Sequence, residues 1–555
     1  MSSIIDKLPA YGMPVAEGPI GRPEKSLGGP PMDNAGGPGG PGGPGEMPGG
    51  PGAPDGMPGG MPGGPGGPGE MTGGPGGMPG GMPGFGGPKE LKPSFPTIAP
   101  HLDPNSVPGS DIEDPTAPGP GFGGPPKAPP FERVESISVI NGKAAVAPEP
   151  YADITGEISN TGMKNGSYDT SEPCINGLYI ASEKEDKFTV SDCDFKMRGD
   201  GINDFAGIGS AIMVDEKAIA EVSDTSVETW GCIRPCTVAA GNSTLVVRNC
   251  TLTGHTGELP STYVKRIASG MMEPPPGLEI GGTGRTHLSM GNSKAYFYDS
   301  KIYTRDWAAL STDSAQGDLY LEANNCDVIC EGIGYGTYAD NGCYNYLNDC
   351  CVISGSHGAI MAGESNVSFT NCDTKAGQYA MMIHSVRGSS TEVTTGYIDG
   401  GSAEAGTAIF FVKSTNAYIH SVGAELKAPY IIKSEINRDD AKTPVAPEDR
   451  YKVYGIKAYL QEETLEGDIW HEEDQRAMAV TMVNVKLTGG IHDAYISLVD
   501  SDWTATKDSL VCFVGTVDPN AIDALPGVTI TAKAGEGCTL SGTYSLKSGG
   551  SLVIN

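Results

Sequence analysis

Imidazole, carboxylate and phenol side chains recur through the middle of this chain at intervals that suggest one regular structural repeat. Imidazoles act as general acids or bases near neutral pH, and carboxylates can orient them. A phenol can pass a proton to or from a ring hydroxyl. The catalytic residues predicted on this basis are His357, His384, Asp313, Asp340 and Tyr335.

Large aromatic side chains accompany these groups at the same intervals. Tryptophan and tyrosine rings stack on sugars and phenols, and arginines at the rim can bind polar substituents. This mixture predicts a small-molecule substrate that contains a hydroxylated ring. The predicted substrate-binding residues are Trp230, Arg234, Trp307, Tyr338, Tyr379 and Arg387.

Histidine and methionine also supply donor atoms for a metal. A mixture of imidazole and thioether favours copper over calcium or magnesium. The predicted metal ligands are His287, His357, His384 and Met361. A structural or solvated role for each histidine is an equal alternative. No nucleotide cofactor is expected, because the glycine-rich stretch 281–286 lacks the lysine and the strand–helix context of a phosphate loop.

A four-residue pattern places these side chains. It consists of an aromatic residue or histidine, a small residue, any residue and a large apolar residue. It occurs at Trp307, Tyr335, His357 and Tyr379, and the last two intervals are both 22 residues long. Repetition at this period is typical of a solenoid, in which each repeat buries its apolar face against its neighbours.

A second repeated feature is an Asn or Asp followed by a small residue, as at Asn325-Cys326, Asp349-Cys350 and Asn371-Cys372. The residues before each pair alternate between apolar and polar, as they do in a strand. Stacked Asn and Asp side chains can bond the backbone and each other at a turn, and the thiols can fill a small apolar slot.

With these two features, residues 188–515 resemble a right-handed parallel β-helix of the pectate-lyase-like class. The resemblance implies carbohydrate chemistry of the kind carried out by pectate lyases, polygalacturonases and epimerases. Ser356-His357-Gly358 is similar to the Gly-His-Gly of polygalacturonases, but no Asp-Asp pair precedes it. The acidic calcium cluster of pectate lyases is not recognisable either.

The predicted fold class is all-β, a right-handed parallel β-helix solenoid with a disordered Gly/Pro/Met-rich N-terminal arm at residues 1–130. Residues 131–187 are expected to form N-terminal strands and a cap, and residues 516–555 the C-terminal cap. Insertions are predicted near 251–276 and 434–478, the second with a helix over residues 460–476.

The orientation of the rings decides whether a groove exists. We expect the large apolar residues of the pattern inside the coil, at Leu310, Tyr338, Ile360, Met382 and Phe410. Because side chains alternate along a strand, the other side is expected to carry the rings, at Trp307, Tyr335, His357 and Tyr379, and residues two positions after them, such as Ala309, Ala359 and Met381. The alternative places the rings in an internal aromatic stack.

Composition limits the partners and the compartment. The formal net charge of −31 disfavours nucleic acid and anionic membranes, and no stretch approaches membrane-spanning length. Thirteen cysteines, many in one regular column, favour reduced packed thiols. The N-terminus lacks the basic start and apolar core of a signal peptide. We therefore expect a cytoplasmic protein.

Three functions are consistent with these features. The first is an enzyme that binds a small hydroxylated ring, preferably phenolic, and catalyses isomerisation, elimination or hydroxyl transfer with copper assistance. The second is a carbohydrate lyase, hydrolase or epimerase acting on imported oligosaccharides. The third is a non-enzymatic solenoid adhesin or scaffold.

Overall fold

A computed structural model describes residues 133–148, 150–201, 206–259, 273–313, 319–385, 393–436, 455–473 and 475–555. The predicted disordered arm at residues 1–130 lies outside the described residues. So do residues 437–454 of the second predicted insertion.

The described chain consists mainly of short strands, with short 3-10 helices at Pro276–Leu278 and Pro519–Ala521. The N-terminal strands are β1 Val134–Ile140, β2 Lys143–Val146, β3 Asp153–Ile154, β4 Glu157–Ser159, β5 Gly162–Lys164, β6 Ser167–Thr170, β7 Ile175–Ser182, β8 Lys187–Ser191, β9 Asp194–Arg198, β10 Ile212–Glu216, β11 Ile219–Ser223, β12 Ser226–Trp230, β13 Thr237–Ala239, β14 Thr244–Arg248 and β15 Thr251–Gly254.

The central strands carry the repeats identified in the sequence. They are β16 Arg285–Ser289, β17 Lys294–Tyr298, β18 Lys301–Thr304, β19 Trp307–Thr312, β20 Leu319–Asn324, β21 Asp327–Cys330, β22 Gly334–Ala339, β23 Cys343–Asn348, β24 Cys351–Ser354, β25 His357–Ala362, β26 Asn366–Thr370, β27 Asp373–Ala376, β28 Tyr379–His384, β29 Thr394–Asp399, β30 Ser402–Ala405 and β31 Ala408–Lys413.

The C-terminal strands continue the same order. They are β32 Ala417–Val422, β33 Glu425–Glu435, β34 Ile456–Gln461, β35 Thr464–His471, β36 Met478–Val483, β37 Lys486–Thr488, β38 Ile491–Val499, β39 Asp502–Ala505, β40 Ser509–Phe513, β41 Ile522–Ala524, β42 Thr529–Ala534, β43 Gly542–Ser545 and β44 Ser551–Ile554.

Each coil contributes one strand to each of three parallel sheets. Sheet 1 runs through β7, β10, β13, β16, β19, β22, β25, β28 and β31 into β33. Sheet 2 includes β17, β20, β23 and β26, and sheet 3 includes β18, β21, β24 and β27. The predicted all-β parallel solenoid is therefore confirmed.

The parallel stacking extends beyond the predicted boundaries at both ends. β1 already pairs in parallel with β7, before residue 188, and β42 pairs in parallel with β44, after residue 515. Antiparallel pairs occur at the N-terminal end of this stack, β1 with β2, β3 with β6 and β4 with β5. At the C-terminal end, β43 pairs antiparallel with β44.

The Asn and Asp residues of the second repeated feature form the turn from sheet 2 to sheet 3. Asn325, Asp349 and Asn371 have φ values of 52°, 52° and 50°, in the left-handed region that these residues tolerate best after glycine. The Asn325 Nδ2 donates to Asp299 Oδ1 at 2.6 Å on the preceding coil. The predicted bonding between stacked side chains is thus present.

The cysteines that follow these turns form a buried column. Cys350 Sγ donates to the carbonyl of Asn348 at 3.2 Å. The thiols of Cys326 and Cys372 likewise donate to the carbonyl of the residue two positions earlier. Ser300 holds the equivalent place one coil earlier through a hydroxyl. All thirteen cysteines are free thiols. Thiol and hydroxyl are interchangeable here because both are small donors to one carbonyl.

The strands of sheet 1 do not alternate simply between the two sides. Ala380 and Met381 are consecutive, and both belong to the main core. Ile409 and Phe410 repeat this arrangement on the next coil. An extra inward residue on these coils is the behaviour of a β-bulge, and it reverses the side assignment of the residues that follow it in the same strand.

Because of this bulge, about half of the predicted assignment of side chains to the inner and outer sides of sheet 1 is wrong. Leu310 and Phe410 lie in the core, as expected. Tyr338, Ile360 and Met382, predicted inside, instead belong to a second apolar cluster with Trp307, Tyr335 and Tyr379. Ala309, Ala359 and Met381, predicted outside, lie in the core. The rings at Trp307, Tyr335 and Tyr379 are on the outer side of sheet 1, as predicted.

The predicted helix over residues 460–476 is wrong. The chain there forms the end of β34 and all of β35, and Leu465 is buried in the core between outward Thr464 and Glu466. Pairing with the adjacent coils outweighs the helix propensity of the glutamates. Among the residues that the structure describes, no helix is long and apolar enough to cross a membrane.

The turn geometry yields a prediction. Replacement of Asn325 by Ala should lower the free energy of unfolding by about 1–2 kcal/mol, because alanine resists a positive φ. Asn325→Gly loses the same bond to Asp299, but glycine adopts a positive φ readily. Its free energy of unfolding should therefore fall by less. Urea unfolding of both variants measures the difference, and equal losses would contradict this account of the turn.

A buried carboxyl group at the equivalent turn position three coils after Cys372 gives a second prediction. Glu463 Oε1 accepts bonds from Ser421 Oγ at 2.5 Å and from the Ala424 amide at 3.4 Å. Burial raises the pKa of Glu463 from 4.5 to about 7. The folded protein therefore binds more protons between these values, and stability falls as pH rises through them.

Replacement of Glu463 by Gln should remove this fall in stability with rising pH. The variant should gain stability over the parent protein at pH 8 by on the order of 3 kcal/mol, and much less at pH 5. Urea unfolding at both pH values provides the measurement. A difference between the two proteins that does not change with pH would contradict the assignment.

Candidate functional site

The candidate site lies on the outer side of sheet 1, where one row of ionisable side chains follows the ends of successive strands. Ala362 aligns with His384, His384 with Lys413, and Lys413 with Glu435. Thr312 aligns with Ala339, so Asp313 and Asp340, which follow them, are also aligned. Ala339 aligns with Met361, so Asp340 is in the same row as Ala362. We call Asp313, Asp340, His384, Lys413 and Glu435 the ionisable column.

Two members of this column join a compact polar cluster. The Arg285 guanidinium lies 3.0 Å from Asp313 Oδ2 and 4.5 Å from the centre of the Trp307 ring. The Tyr335 hydroxyl lies 3.0 Å from Ser311 Oγ, and the Tyr335 and Tyr338 rings are 5.6 Å apart. The cluster therefore combines a guanidinium, carboxyls and phenols on three adjacent coils.

Burial sets the electrostatics of this cluster. It raises the pKa of Asp313, while the Arg285 charge opposes that rise. Burial also raises the pKa of Tyr338 far above its usual value, and the Asp340 and Asp313 carboxylates add to this effect. Asp340 is only 8 % exposed. Charges are worth more in such a dry setting than in water, so a proton transferred here changes the energy strongly.

The aromatic rings do not form the open floor that the sequence predicts. His357 stacks on Tyr379 with ring centres 5.1 Å apart, and Tyr379 stacks on Phe411 at 4.2 Å, with interplanar angles of 6° and 9°. The ring faces therefore cover one another along the solenoid axis. A substrate ring would meet only their edges, so Tyr379 cannot serve as a stacking surface in this arrangement.

A segment at the end of the first predicted insertion and just after it covers these rings. We call residues 273–284 the covering segment. His357 Nε2 bonds the Leu278 carbonyl at 3.0 Å, and Lys413 Nζ donates to the Gly277 carbonyl at 2.8 Å. Leu278 packs in the same apolar cluster as Trp307 and Tyr379. The outer face of sheet 1 is thus buried, although it lies outside the coil.

The four predicted metal ligands are divided between the two sides of sheet 1. His287 lies within β16, and its ring nitrogens are 2.9 Å from Thr237 Oγ1 and from Ser289 Oγ. It contacts Phe297 of the core, and Met361 is in that core as well. His357 and His384 belong to the outer side. Across the described residues, no group of three or more His, Cys, Asp or Glu side chains is placed to hold a metal.

Two predicted substrate-binding residues lie elsewhere. Trp230 stacks on His255 at 4.6 Å, and the Arg234 guanidinium donates to the Asp200 and Glu172 carbonyls at 3.2 and 3.1 Å. Arg234 lies just before β13, and Asp340 lies just after β22. β13 is three coils earlier than β22 in sheet 1. Arg234 therefore fixes the backbone of an earlier coil. Arg387 lies outside the described residues.

Sequence reasoning missed Arg285 and Lys413. Arg285 aligns with Ala308 one coil on, and this places it beside Trp307 and within reach of Asp313. The short run that contains His287 also contains Arg285, so the repeat register could have identified it. Lys413 could have been found from its alignment with His384. The repeat pattern gives no indication of the covering segment.

No protein-family model matches this chain, and neither any curated protein nor any solved structure matches it. The structure itself defines the class, an all-β parallel solenoid with a covered polar site on sheet 1.

The contacts of the covering segment predict the effect of one substitution. Lys413→Met removes the bond to Gly277 and the ion pair with Glu279 at 3.4 Å. Amide hydrogens of residues 273–284 should then exchange at least tenfold faster, because a charge-assisted hydrogen bond contributes about 1.5–3 kcal/mol. Lys427→Met, at an exposed lysine paired with Glu404, is the control and should leave exchange unchanged. Unchanged exchange in Lys413→Met would contradict the anchoring role.

Proposed function

We propose that this protein is an enzyme that binds a hydroxylated ring at the polar cluster of sheet 1 and transfers protons to and from it. The observation that carries the proposal is the placement of two carboxyls, Asp313 and Asp340, on adjacent coils beside Arg285 and two phenols. Burial raises the pKa of the Asp313 carboxyl, and perturbed carboxyls beside a cationic partner suit general acid–base work.

Each residue has a role in the proposed reaction. Asp340 takes a proton from the ring, at carbon or at a hydroxyl, and the Tyr335 phenol supplies a proton to the departing or rearranging oxygen. Arg285 stabilises negative charge that develops on that oxygen. Asp313 holds Arg285 in position through their 3.0 Å contact. These steps are compatible with isomerisation or elimination.

The substrate is proposed to enter beside Asp313. Its side chain is 18 % exposed, whereas that of Arg285 is 3 % exposed. The connections that follow β19, β28 and β33 are longer than those that follow β22, β25 and β31, and all of them leave sheet 1 at the ionisable column. Long loops beside a repeated strand face commonly form binding sites in solenoids.

A carbohydrate chain is the second candidate substrate. The ionisable column runs along the solenoid axis, with Asp313, Asp340 and His384 on successive or alternate coils. Such a row suits a substrate with repeated units better than a single ring. We also propose that the coils are right-handed, as in the pectate-lyase-like class, because crossover connections between parallel strands are right-handed in almost all sheets.

We further propose that the protein functions in a reducing compartment. Its thirteen thiols are free, and burial raises the pKa of several of them, such as Cys250 to about 11. Thiols in this state are poor nucleophiles and persist where the surroundings keep them reduced.

Turnover of small phenols and of oligosaccharides, followed by liquid chromatography with mass detection, tests the function and separates the two substrate classes. Asp340→Asn should lower kcat by about 10²–10⁴-fold with unfolding unchanged, because it removes the proton acceptor. Asp373→Asn, at an exposed aspartate of sheet 3, is the matched control and should retain activity. Full turnover by Asp340→Asn would contradict the proposal.

A further inference from the structure

A second polar site lies at the opposite end of the sheet 1 strands from the ionisable column. Ser356 Oγ, His357 Nδ1 and Gln378 Oε1 are all buried, and none has a hydrogen-bond partner within the described part of the chain. The three residues are 0 %, 0 % and 6 % exposed. Buried polar atoms in folded proteins are nearly always satisfied, so three together point to an occupant.

The repeat register brings these atoms onto two adjacent coils. His357 aligns with Tyr379, so Ser356 and Gln378, which precede them, hold equivalent positions one coil apart. The Gln378 amide donates to the Ser356 carbonyl at 2.8 Å. Adjacent strands are about 4.8 Å apart, which is a separation that one small molecule can bridge.

The hydrogen bond to the covering segment fixes what the occupant must supply. His357 Nε2 faces the Leu278 carbonyl, which can only accept, so Nε2 carries the proton and Nδ1 presents a lone pair. Gln378 Oε1 is also an acceptor, and Ser356 Oγ can either donate or accept. The occupant therefore needs at least two hydrogen-bond donors.

The charge of the site selects among possible donors. Burial lowers the pKa of His357 to about 3, so the imidazole is neutral, and Ser356 and Gln378 carry no charge. A cation would find no counter-charge among these three groups, and the nearby Lys413 would repel it. Neutral hydroxyl groups meet the requirement.

We infer that a neutral polyol binds beneath the covering segment, with two of its hydroxyl groups donating to His357 Nδ1 and Gln378 Oε1 and with Ser356 Oγ as a third contact. This site adjoins the proposed catalytic cluster, because His357 aligns with Tyr335 one coil away, about 4.8 Å. The three atoms that define the site belong to no residue of that cluster. Binding here does not depend on the proposed enzymatic activity.

Calorimetric titration of the full-length protein with myo-inositol and with glucose tests the inference. At least one of them should bind, and Gln378→Leu and His357→Phe should each weaken that binding at least tenfold. Phenylalanine at position 357 keeps the ring stack on Tyr379 and loses only the polar atoms. Ser402→Ala, at a hydroxyl bonded to Asp373 on sheet 3, is the control and should bind as the parent protein does.

A crystal structure with myo-inositol provides a second readout if either variant fails to fold. Two ligand hydroxyls within hydrogen-bond distance of His357 Nδ1 and Gln378 Oε1 would support the inference. It would be overturned by an ordered water alone at these atoms with myo-inositol present. Absence of binding of both probes to the parent protein, or equal affinity of the parent protein and the two variants, would overturn it as well.

Discussion

The structure depends on one constraint, the in-register hydrogen bonding of each coil to the next. Parallel strands about 4.8 Å apart place chemically equivalent residues directly above one another. The turn residues Asn325, Asp349 and Asn371 keep every coil the same length across the turn from sheet 2 to sheet 3, and the thiol column packs beneath them. Every functional feature follows from this repetition, because it converts sequence spacing into neighbouring side chains.

The same stacking explains why the outer face of sheet 1 is closed rather than open. The register places the ring of His357 directly against that of Tyr379 on the next coil. Phe411, three residues further along the following strand than the partner of Tyr379, extends this stack. Their edges are then sealed by Leu278 and its neighbours, held by His357 and Lys413. At the end of the strands beyond this apolar patch, the Asp313 side chain remains 18 % exposed.

The sequence predicts the parallel solenoid, the Asn and Asp turns and the outward position of the rings, because each depends on a period that can be counted. It does not predict the extra inward residue at Ala380 and its equivalents, since a bulge leaves no mark in hydrophobic spacing. That one residue moves Tyr338 outward and Met361 inward, and it separates the predicted metal ligands. The contact between the covering segment and His357 joins residues 79 positions apart, outside the reach of any repeat pattern.

The most direct test of the central claim is disulfide formation between engineered cysteines in the ionisable column. Asp313 and Asp340 are one coil apart, about 4.8 Å, whereas Asp313 and His384 are three coils apart, about 14 Å. With oxidised glutathione, the Asp313→Cys, Asp340→Cys protein should form an intramolecular disulfide that peptide mass mapping detects. The Asp313→Cys, His384→Cys protein should not. A cross-link only in the second protein would contradict the register on which the whole account depends.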